Sequence, residues 1–469
     1  MSLNFLRVGS VYLRKGQKRL DAGYYNLALR VRWEVEQSKW TLKTLASVAS
    51  FTYIGRFKRD YVKKSPDAVP FAGSREIFFW PLKLDKFLRS SSVWSELFPH
   101  PGDILISCSG SVGYSILAGI SFKNVAVSQH VLRIRTRNEE EVFQGYLYAF
   151  LRSRYGFDFM QGAQYGAVVK EIDPAVLGEM PVPILPIRVQ EHIHTKMLRA
   201  LSLRERGNCL LKKAERLLYE LLGLPDPEAL EPEYLPNPPG TKVPAFAVKR
   251  SELEGRLDGS YHVPEVESLL RALKAGKYPL VPLKDLTAYI RIPPRFKRHY
   301  VGPDKGLPFV RPSDLATVRV LERRYIAKWT PELPQLKLNR GEILVSTDGS
   351  IGDMGYVTDA WEGWAASNNI GRIAVKLDKV HPGYLYAFLA SPYGQVQLHR
   401  EIYGGVIDHL EVEHLAKVDI PHPPLDVQEA IGKRVLQAFA LRDKANDLEE
   451  KTIAELEELI AKGPRFRIF

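Results

Sequence analysis

Apolar and polar positions alternate so that the same succession of elements is predicted twice along the chain. A short apolar run, at residues 104–107 (ILIS) or 343–346 (ILVS), is typical of a buried strand and leads into a Gly-Ser turn. A second strand is predicted at 131–136 or 370–375, followed by a short helix at the repeated segment GYLYAFL and by a Pro-rich bend. The whole pattern predicts an α+β fold.

A long helix is predicted at the end of each series, at about residues 188–222 and 426–462. Apolar residues three and four positions apart give each helix the spacing of a coiled-coil seam. A glycine, followed within two residues by a proline, is expected to end each helix. Two seams in one chain most simply pair with each other, although each helix could instead pack on its own module. The candidate seam residues are Leu203, Leu210, Leu217, Leu441, Leu448 and Leu456.

The succession of elements is an internal duplication, because short segments match in order when the chain is shifted by about 238 positions. The matching pairs include RLDAGYY at 19–25 with RLDGSYH at 256–262, FKRDYV at 57–62 with FKRHYV at 296–301, PGDILISCSGSVG at 101–113 with RGEILVSTDGSIG at 340–352, QYGAVV at 164–169 with IYGGVI at 402–407, and VQEHI at 189–193 with VQEAI at 427–431. The period is far longer than the ~20–50 residues of a solenoid repeat. Each copy is therefore a whole module, and a Pro-rich linker places their boundary near Gly240.

Composition and charge narrow the possible functions. The 469 residues are 45% hydrophobic and 26% charged, as expected of a globular chain with two or more domains. A formal net charge of +12 favours a polyanionic partner, with nucleic acid as the first candidate. The two cysteines exclude a disulfide framework and fit a cytosolic location. We find neither the apolar run of a membrane span nor that of a signal peptide.

The positive charge is concentrated in matching parts of the two modules. Residues 1–64 hold 14 Lys and Arg against 4 acidic residues, and residues 284–328 hold 11 against 4. Such clusters can neutralise phosphates, and arginine can also bind guanine edges, although a solvated basic face is the simpler alternative. The Gly-Ser turns could offer backbone N–H groups to a phosphate or could simply be required by the fold. The candidate DNA-contacting residues are Arg56, Lys58, Arg59, Lys63, Lys64, Ser111, Arg295, Lys297, Arg298, His299, Arg311 and Ser350.

Catalytic chemistry is missing from the sequence. Neither a P-loop nor a Rossmann glycine motif occurs, and the segment NPPG at 237–240 lacks the aromatic residue of an amino-methyltransferase loop. His192 and His194 are two positions apart on a predicted helix and do not share a face. No nucleophile, base and orienting group come together in the pattern. We therefore expect a binding protein with no catalytic residues and no bound metal.

The duplicated strand and Gly-Ser turn, together with the Pro-rich entry into a helix that begins with VQE, resemble the specificity (S) subunits of type I restriction-modification systems. The resemblance covers essentially the whole chain. It implies target recognition domains at 1–184 and 256–421, spacer helices at 185–223 and 422–469, and a Pro-rich linker with the start of the second repeat at 224–255. The two helices would pair as an antiparallel coiled coil, and each domain would read one half of a split DNA site.

The resemblance also implies partners and cofactors. The chain would be a cytoplasmic, non-catalytic subunit that binds double-stranded DNA and docks methyltransferase subunits and restriction/translocase subunits. S-adenosylmethionine, ATP and Mg are expected on those partners, and no cofactor is expected in this chain.

Other functions remain open at the level of the sequence. The chain could serve a smaller restriction assembly in which one partner both methylates and cuts, and a co-purified partner would distinguish the two. It could be a methyltransferase or nuclease with an unrecognised site, which a cofactor-binding test would detect. It could also be a scaffold for acidic proteins, and a steep salt dependence of binding to duplex DNA would argue against that.

Overall fold

The computed structural model of the chain describes residues 22–165, 170–236, 245–253, 255–402 and 409–463. Contacts between residues divide the chain into two compact units, one of Met1–Glu205 with Arg442–Phe469 and one of Arg206–Leu441. The repeat segments at 19–25, 164–169 and 402–407 extend beyond the described residues, and NPPG at 237–240 lies outside them. Within the described ranges, no helix is both long and apolar enough to cross a bilayer.

The first unit is a mixture of short helices and short strands followed by the start of a long helix. Its elements are α1 Ala22–Asn26, α2 Ala28–Gln37, β1 Thr41–Thr44, α3 Leu45–Val48, β2 Ala49–Thr52, β3 Tyr61–Val62, β4 Ala68–Ala72, β5 Phe87–Arg89, β6 Ile104–Ser107, β7 Ser115–Leu117, β8 Ala126–Val127, β9 Val131–Thr136, α4 Gln144–Arg152, α5 Arg154–Gly162, β10 Gln164–Tyr165, β11 Glu171–Ile172, α6 Pro174–Gly178, β12 Pro181–Ile184 and α7 Ile187–Leu222.

Two four-stranded sheets form the centre of this unit. One has the order β2-β9-β6-β7 and is antiparallel throughout. The other has the order β3-β5-β4-β8, with β4 and β8 parallel. Ile104 of β6 pairs with Leu117 of β7 and Ile134 of β9, and all four residues of β6 are buried. A strand between two neighbours with both faces covered reads as a continuous apolar run, which explains the segment ILIS.

The second unit contains helices and strands in a similar order. They are α8 Pro264–Lys274, β13 Leu280–Pro282, α9 Leu283–Leu286, β14 Thr287–Arg291, β15 Gly306–Val310, α10 Pro312–Leu315, β16 Arg324–Ala327, α11 Leu333–Leu336, β17 Ile343–Ser346, β18 Met354–Tyr356, β19 Ala365–Ala366, β20 Ile370–Val375, α12 Pro382–Ala390, α13 Pro392–Arg400, α14 Val412–Ala416, β21 Asp419–Pro421 and α15 Leu425–Lys462.

The first sheet of the second unit repeats the order found in the first unit, whereas its second sheet has one strand fewer. An antiparallel sheet has the order β14-β20-β17-β18, and Ile343 of β17 pairs with Tyr356 and Ile373. A second sheet has the order β16-β15-β19, with β15 and β19 parallel. The strands predicted at 104–107, 131–136, 343–346 and 370–375 are therefore confirmed.

The two GYLYAFL helices each turn sharply into a second short helix. Ser153 caps α5 by accepting a hydrogen bond from the Gly156 amide at 3.4 Å, and Ser391 caps α13 by accepting one from the Gly394 amide at 3.4 Å. A Cβ on either glycine would collide with the backbone of the preceding helix. The sequence S-x-x-G therefore fixes this corner in both units.

The long helices α7 and α15 contain 36 and 38 residues and begin one residue before the predicted positions. Each ends at a glycine in the left-handed region, Gly223 with φ +65° and Gly463 with φ +71°, as expected of a helix C-terminus. The border between the two units falls inside both helices, whereas the sequence suggested a border in the Pro-rich linker.

Contacts in each unit explain the position of this border. In the first unit, Lys196 of α7 donates to Glu455 of α15 at 2.7 Å, and Arg204 donates to Asn446 at 2.8 Å. Residue numbers rise along one helix as they fall along the other, so these parts of the helices are antiparallel. In the second unit, Phe439 of α15 packs against Tyr386, with the ring centroids 5.0 Å apart. Each long helix therefore buries different parts of its length in different cores.

The six candidate seam leucines differ in burial. Leu203 and Leu456 are buried, whereas the other four are half-buried. Buried positions next to the half-buried leucines include the polar residues Arg442 and Glu449. The buried face of these helices thus contains polar as well as apolar residues.

Candidate nucleic-acid interface

The basic segments lie in the connections that follow β2 and β14, on the way to the second sheet of each unit. The exposed candidate side chains on these connections, or just after β3, are those of Arg56, Lys58, Lys63, Lys64, Arg295, Lys297, Arg298 and His299. In the part of the chain that the structure describes, Lys58 and Lys297 make neither a hydrogen bond nor an ion pair. Their charges are therefore available to an external anion.

Arg59 differs from its neighbours because it is held by the protein. Its Nη2 donates to Gln129 Oε1 at 2.7 Å and to Ser128 Oγ at 3.3 Å. Its guanidinium also lies over the ring of Phe71, 5.4 Å from the centroid. Arg59 therefore ties the basic segment to the loop between β8 and β9.

Arg298 makes the same set of contacts in the second unit. Its Nη2 donates to Asn368 Oδ1 at 3.0 Å and to Ser367 Oγ at 3.3 Å. The guanidinium lies 5.8 Å from the centroid of the Phe309 ring. The segments FKRDYV and FKRHYV thus match in their contacts as well as in sequence.

The loops held by these arginines have the sequences SQH at 128–130 and SNN at 367–369. Each begins with a buried serine whose amide donates to the preceding sheet, to Ala72 O from Ser128 and to Val310 O from Ser367, both at 2.9 Å. The next two side chains in each loop are only partly buried. Each loop therefore offers two polar side chains beside the basic segment, and we call the two loops the polar loops.

His130 occupies the last position of the first polar loop. Burial lowers its pKa, and the positive charge of Arg59 lowers it further. The neutral imidazole can then use Nε2 to accept from the Gln129 amide nitrogen, 3.2 Å away. In the second loop, the amide of Asn368 donates to Asn369 Oδ1. In both loops, the side-chain amide at the second position therefore hydrogen-bonds the residue that follows it, which is a histidine in the first loop and an asparagine in the second.

The Gly-Ser turns lie against the polar loops. The Cys108 amide donates to His130 O at 2.8 Å, and the Thr347 amide donates to Asn369 O at 3.1 Å. Gly110 and Gly349 have φ of +78° and +75°, so these turns need glycine. The turns are thus required by the fold and also lie next to the candidate interface.

The candidate serines of the turns are exposed at this edge. Ser107 and Ser346 donate through their hydroxyls to the backbone carbonyls of Ser111 and Ser350. The side chains of Ser111 and Ser350 are exposed. The two turns differ in their first residue. Asp348 of the second turn pairs with His409, whereas a serine stands at the matching position of the first turn.

Two other candidate residues are engaged elsewhere. Lys64 lies over the Phe87 ring, 5.9 Å from the centroid. Arg311 is half-buried and donates to Asp314 at 3.0 Å and to Glu322 at 2.8 Å. The acidic neighbours of Arg311 neutralise much of its charge, so it is a weaker candidate than Lys297.

Through the contacts of Arg59 and Arg298, and of the turns with the polar loops, the structure links two sets of residues, which we call the basic faces. The first basic face consists of Arg56, Lys58, Arg59, Ser111, Gln129 and His130, and the second of Arg295, Lys297, Arg298, Ser350, Asn368 and Asn369. Sequence reasoning missed the polar loops because uncharged residues carry no charge signal. The matching serines before β9 and β20, in SQHV and SNNI, could have identified them.

Within the described ranges, no three His, Cys, Asp or Glu side chains are placed to hold a metal ion. The exposed atoms of the basic faces are cations, amides, hydroxyls and an imidazole. Such groups can bind phosphates and the polar edges of bases.

Comparison with known proteins identifies related chains. Residues 280–458 match the family model described as the type I restriction modification DNA specificity domain. The type I restriction enzyme MjaVIII specificity subunit of Methanocaldococcus jannaschii is 20% identical over 399 residues, which cover 81% of this chain and 82% of that protein.

Two solved structures of specificity subunits are similar to parts of this fold at low identity. The S subunit of a type I restriction-modification system from M. genitalium has a TM-score of 0.34 and 13% identity, covering 92% of this chain and 97% of that one. The HsdS subunit from Thermoanaerobacter tengcongensis has a TM-score of 0.28 and 15% identity, covering 90% and 94%.

The family-model match and the curated relative confirm the resemblance inferred from the sequence. Residues 280–458 thus match a type I restriction modification DNA specificity domain, and the chain is similar over most of its length to a type I restriction enzyme specificity subunit.

Proposed function

We propose that this chain recognises a two-part DNA sequence, one part through each basic face, and docks the other subunits of a type I restriction-modification complex. One observation carries the proposal. Arg59 and Arg298 hold a serine and an amide side chain in the same way, at equivalent places in two units of the same topology. A duplicated frame that carries different polar residues beside the held arginines suits the reading of two different half-sites.

The charges of the basic faces suit the DNA backbone. Lys58 and Lys297 are exposed beside the arginines that are held in place. Lysines at such positions neutralise phosphates and release counterions, which strengthens binding and orients the protein without selecting a sequence. Selection then requires groups that can reach base edges in a groove.

The long helices suit a role in setting the distance between half-sites. A helix of 36 residues is about 54 Å long at ~1.5 Å per residue. At ~3.4 Å per base pair this corresponds to roughly sixteen base pairs. Pairing of α7 with α15 as an antiparallel coiled coil, supported by the contacts of Lys196 and Arg204, would keep that distance constant.

The proposed partners supply the chemistry that this chain lacks. Methyltransferase subunits would bind S-adenosylmethionine, and restriction/translocase subunits would use ATP and Mg in the cytoplasm. The chain would bind none of these cofactors. The alternative assembly, in which one partner both methylates and cuts, uses the same basic faces and differs only in the partner.

Binding selection with partner identification tests the proposal. The full chain is purified with its co-purifying subunits and incubated with a library of randomised duplexes, and the bound DNA is sequenced. We expect a recovered motif of two short parts separated by an unread gap, with a methyltransferase among the partners. Recovery of random sequences, or of one continuous motif, would contradict the proposal.

A further inference from the structure

We infer that the polar loops select the bases, through Gln129 with His130 in the first unit and Asn368 with Asn369 in the second, while Arg59 and Arg298 are positioning residues. This inference rests on the proposed function and names the specificity-determining side chains within it. It differs from the expectation based on charge, in which the arginines themselves would contact DNA.

The hydrogen-bonding capacity of Asn368 leads to this assignment. Its Oδ1 accepts from Arg298 at 3.0 Å, and its Nδ2 donates to Asn369. An amide oxygen can accept two hydrogen bonds, and an amide nitrogen can donate two. One acceptor site and one donor site therefore remain on the same planar group.

Gln129 has the same remaining capacity. Its Oε1 accepts from Arg59 at 2.7 Å, and its Nε2 lies 3.2 Å from His130 Nε2. A free acceptor beside a free donor complements adenine in the major groove, which presents the N6 donor and the N7 acceptor. Each loop is thus suited to a purine edge of that pattern.

The arginines are suited to hold these amides in one orientation. Arg59 is fixed by Phe71 as well as by the first polar loop, and Arg298 is fixed by Phe309 as well as by the second. An amide that could rotate would exchange its donor and acceptor and lose discrimination. The charged hydrogen bond from the arginine prevents the exchange, because only the amide oxygen can accept it.

The differences between the loops are confined to the two partly buried positions that follow the serine. The buried serine and the arginine are shared, whereas Gln129 and His130 are replaced by Asn368 and Asn369. A constant frame with two variable residues gives each half of the chain its own preference, since Gln reaches one methylene further than Asn and imidazole differs from amide.

The test uses the full chain with its co-purifying subunits and the same randomised duplex library. The double variant N368Q/N369H writes the first polar loop into the second unit. We expect it to change the bases selected in one part of the motif and to leave the other part as in the wild-type chain. The reciprocal variant Q129N/H130N should change the other part.

Single variants measure the size of the effect. We expect N368A to weaken the preference for the correct base at one or two positions by about 10- to 100-fold, with the salt dependence of binding unchanged. R298A should relax the same positions as N368A. The control K297A should weaken binding to all sequences alike and leave the motif unchanged. Thermal unfolding of each variant establishes that the protein is folded.

The outcomes separate the two proposals. A wild-type chain that recovers no split motif contradicts the proposed function itself. A split motif that is the same for the wild-type chain, N368Q/N369H and Q129N/H130N, all of them folded, overturns the assignment of the polar loops and leaves the proposed function standing. If the selected motif changed in K297A and stayed the same in N368A, the basic segment and not the polar loop would select the bases.

Discussion

Glu449 of α15 accepts a hydrogen bond from Arg204 of α7, and both side chains are almost fully buried. Arg152 at the end of α4 pairs with the same carboxylate, and Tyr148 donates to it at 3.2 Å. Burial alone would lower the pKa of Arg204, but the Glu449 carboxylate outweighs it and raises the pKa. Both helices and the GYLYAFL helix of the first unit thus meet at one buried charge.

Removal of this carboxylate should destabilise the protein strongly. In E449A, two buried guanidinium groups lose their anion, and we expect a loss of about 3–5 kcal/mol in the free energy of unfolding. Urea unfolding of the full chain measures the loss. The control is K451A on the same helix, whose exposed side chain pairs with Asp447 and which should change stability by no more than about 0.5 kcal/mol. Equal stability of E449A and K451A would contradict the expected role.

Acidification should lower the free energy of unfolding through protonation of His381. The His381 Nδ1 accepts from the Gly383 amide at 3.2 Å at the start of α12, and burial lowers the pKa of this histidine. The unfolded chain therefore binds the proton more readily than the folded chain. Stability should fall as the pH drops below about 6.5, the ordinary pKa of histidine.

The variant H381N isolates this contribution. Asparagine caps a helix start well and does not titrate. We expect H381N to lose less stability than the wild-type chain between pH 7.5 and 5, measured as the urea midpoint at each pH. Identical pH profiles for the two proteins would exclude a contribution from His381.

Lys58 should contribute to DNA affinity without contributing to selectivity. Its charge is exposed and makes no ion pair among the described residues, so it can replace a counterion at a phosphate. We expect K58A to reduce the slope of log affinity against log salt concentration by about one unit. The slope is measured by titration of duplex DNA at several salt concentrations. The control K451A should keep the wild-type slope. A K58A slope equal to that of K451A would show that Lys58 does not contact DNA.

The length of the long helices should control the gap between half-sites. Four extra residues add about 6 Å to a helix, which corresponds to about two base pairs. We expect a chain with four residues inserted into both α7 and α15 to select the same half-sites with a longer gap, measured by sequencing of selected duplexes. An unchanged gap in a folded variant would show that the length of the helices does not set the distance between half-sites.

Much of the fold follows from the duplicated pattern. The strand ILIS is predictable because all four of its positions are buried. The ends of the long helices are predictable because Gly223 and Gly463 adopt positive φ. The pairing of the helices within the first unit is harder to predict, since Arg204 and Glu449 are buried where a seam pattern expects apolar residues.

Only the charged part of the candidate site could be predicted from the sequence. Charge identifies Lys58 and Lys297, but charge alone does not separate Arg59, which the protein holds, from a lysine that is available to DNA. Gln129 and Asn368 are distant in sequence from the basic segments and reach them only through sheet pairing, in which β8 lies beside β4 and β19 beside β15. That proximity is a property of the fold and cannot be read from local pattern.

The map of methylated bases in cells that express this chain with its partner subunits tests the central claim most directly. We expect methylation at a motif of two short parts separated by a fixed gap, and loss of that motif when the gene for this chain is deleted. Methylation of a continuous motif, or a split motif that persists after the deletion, would contradict the assignment of DNA specificity to this chain.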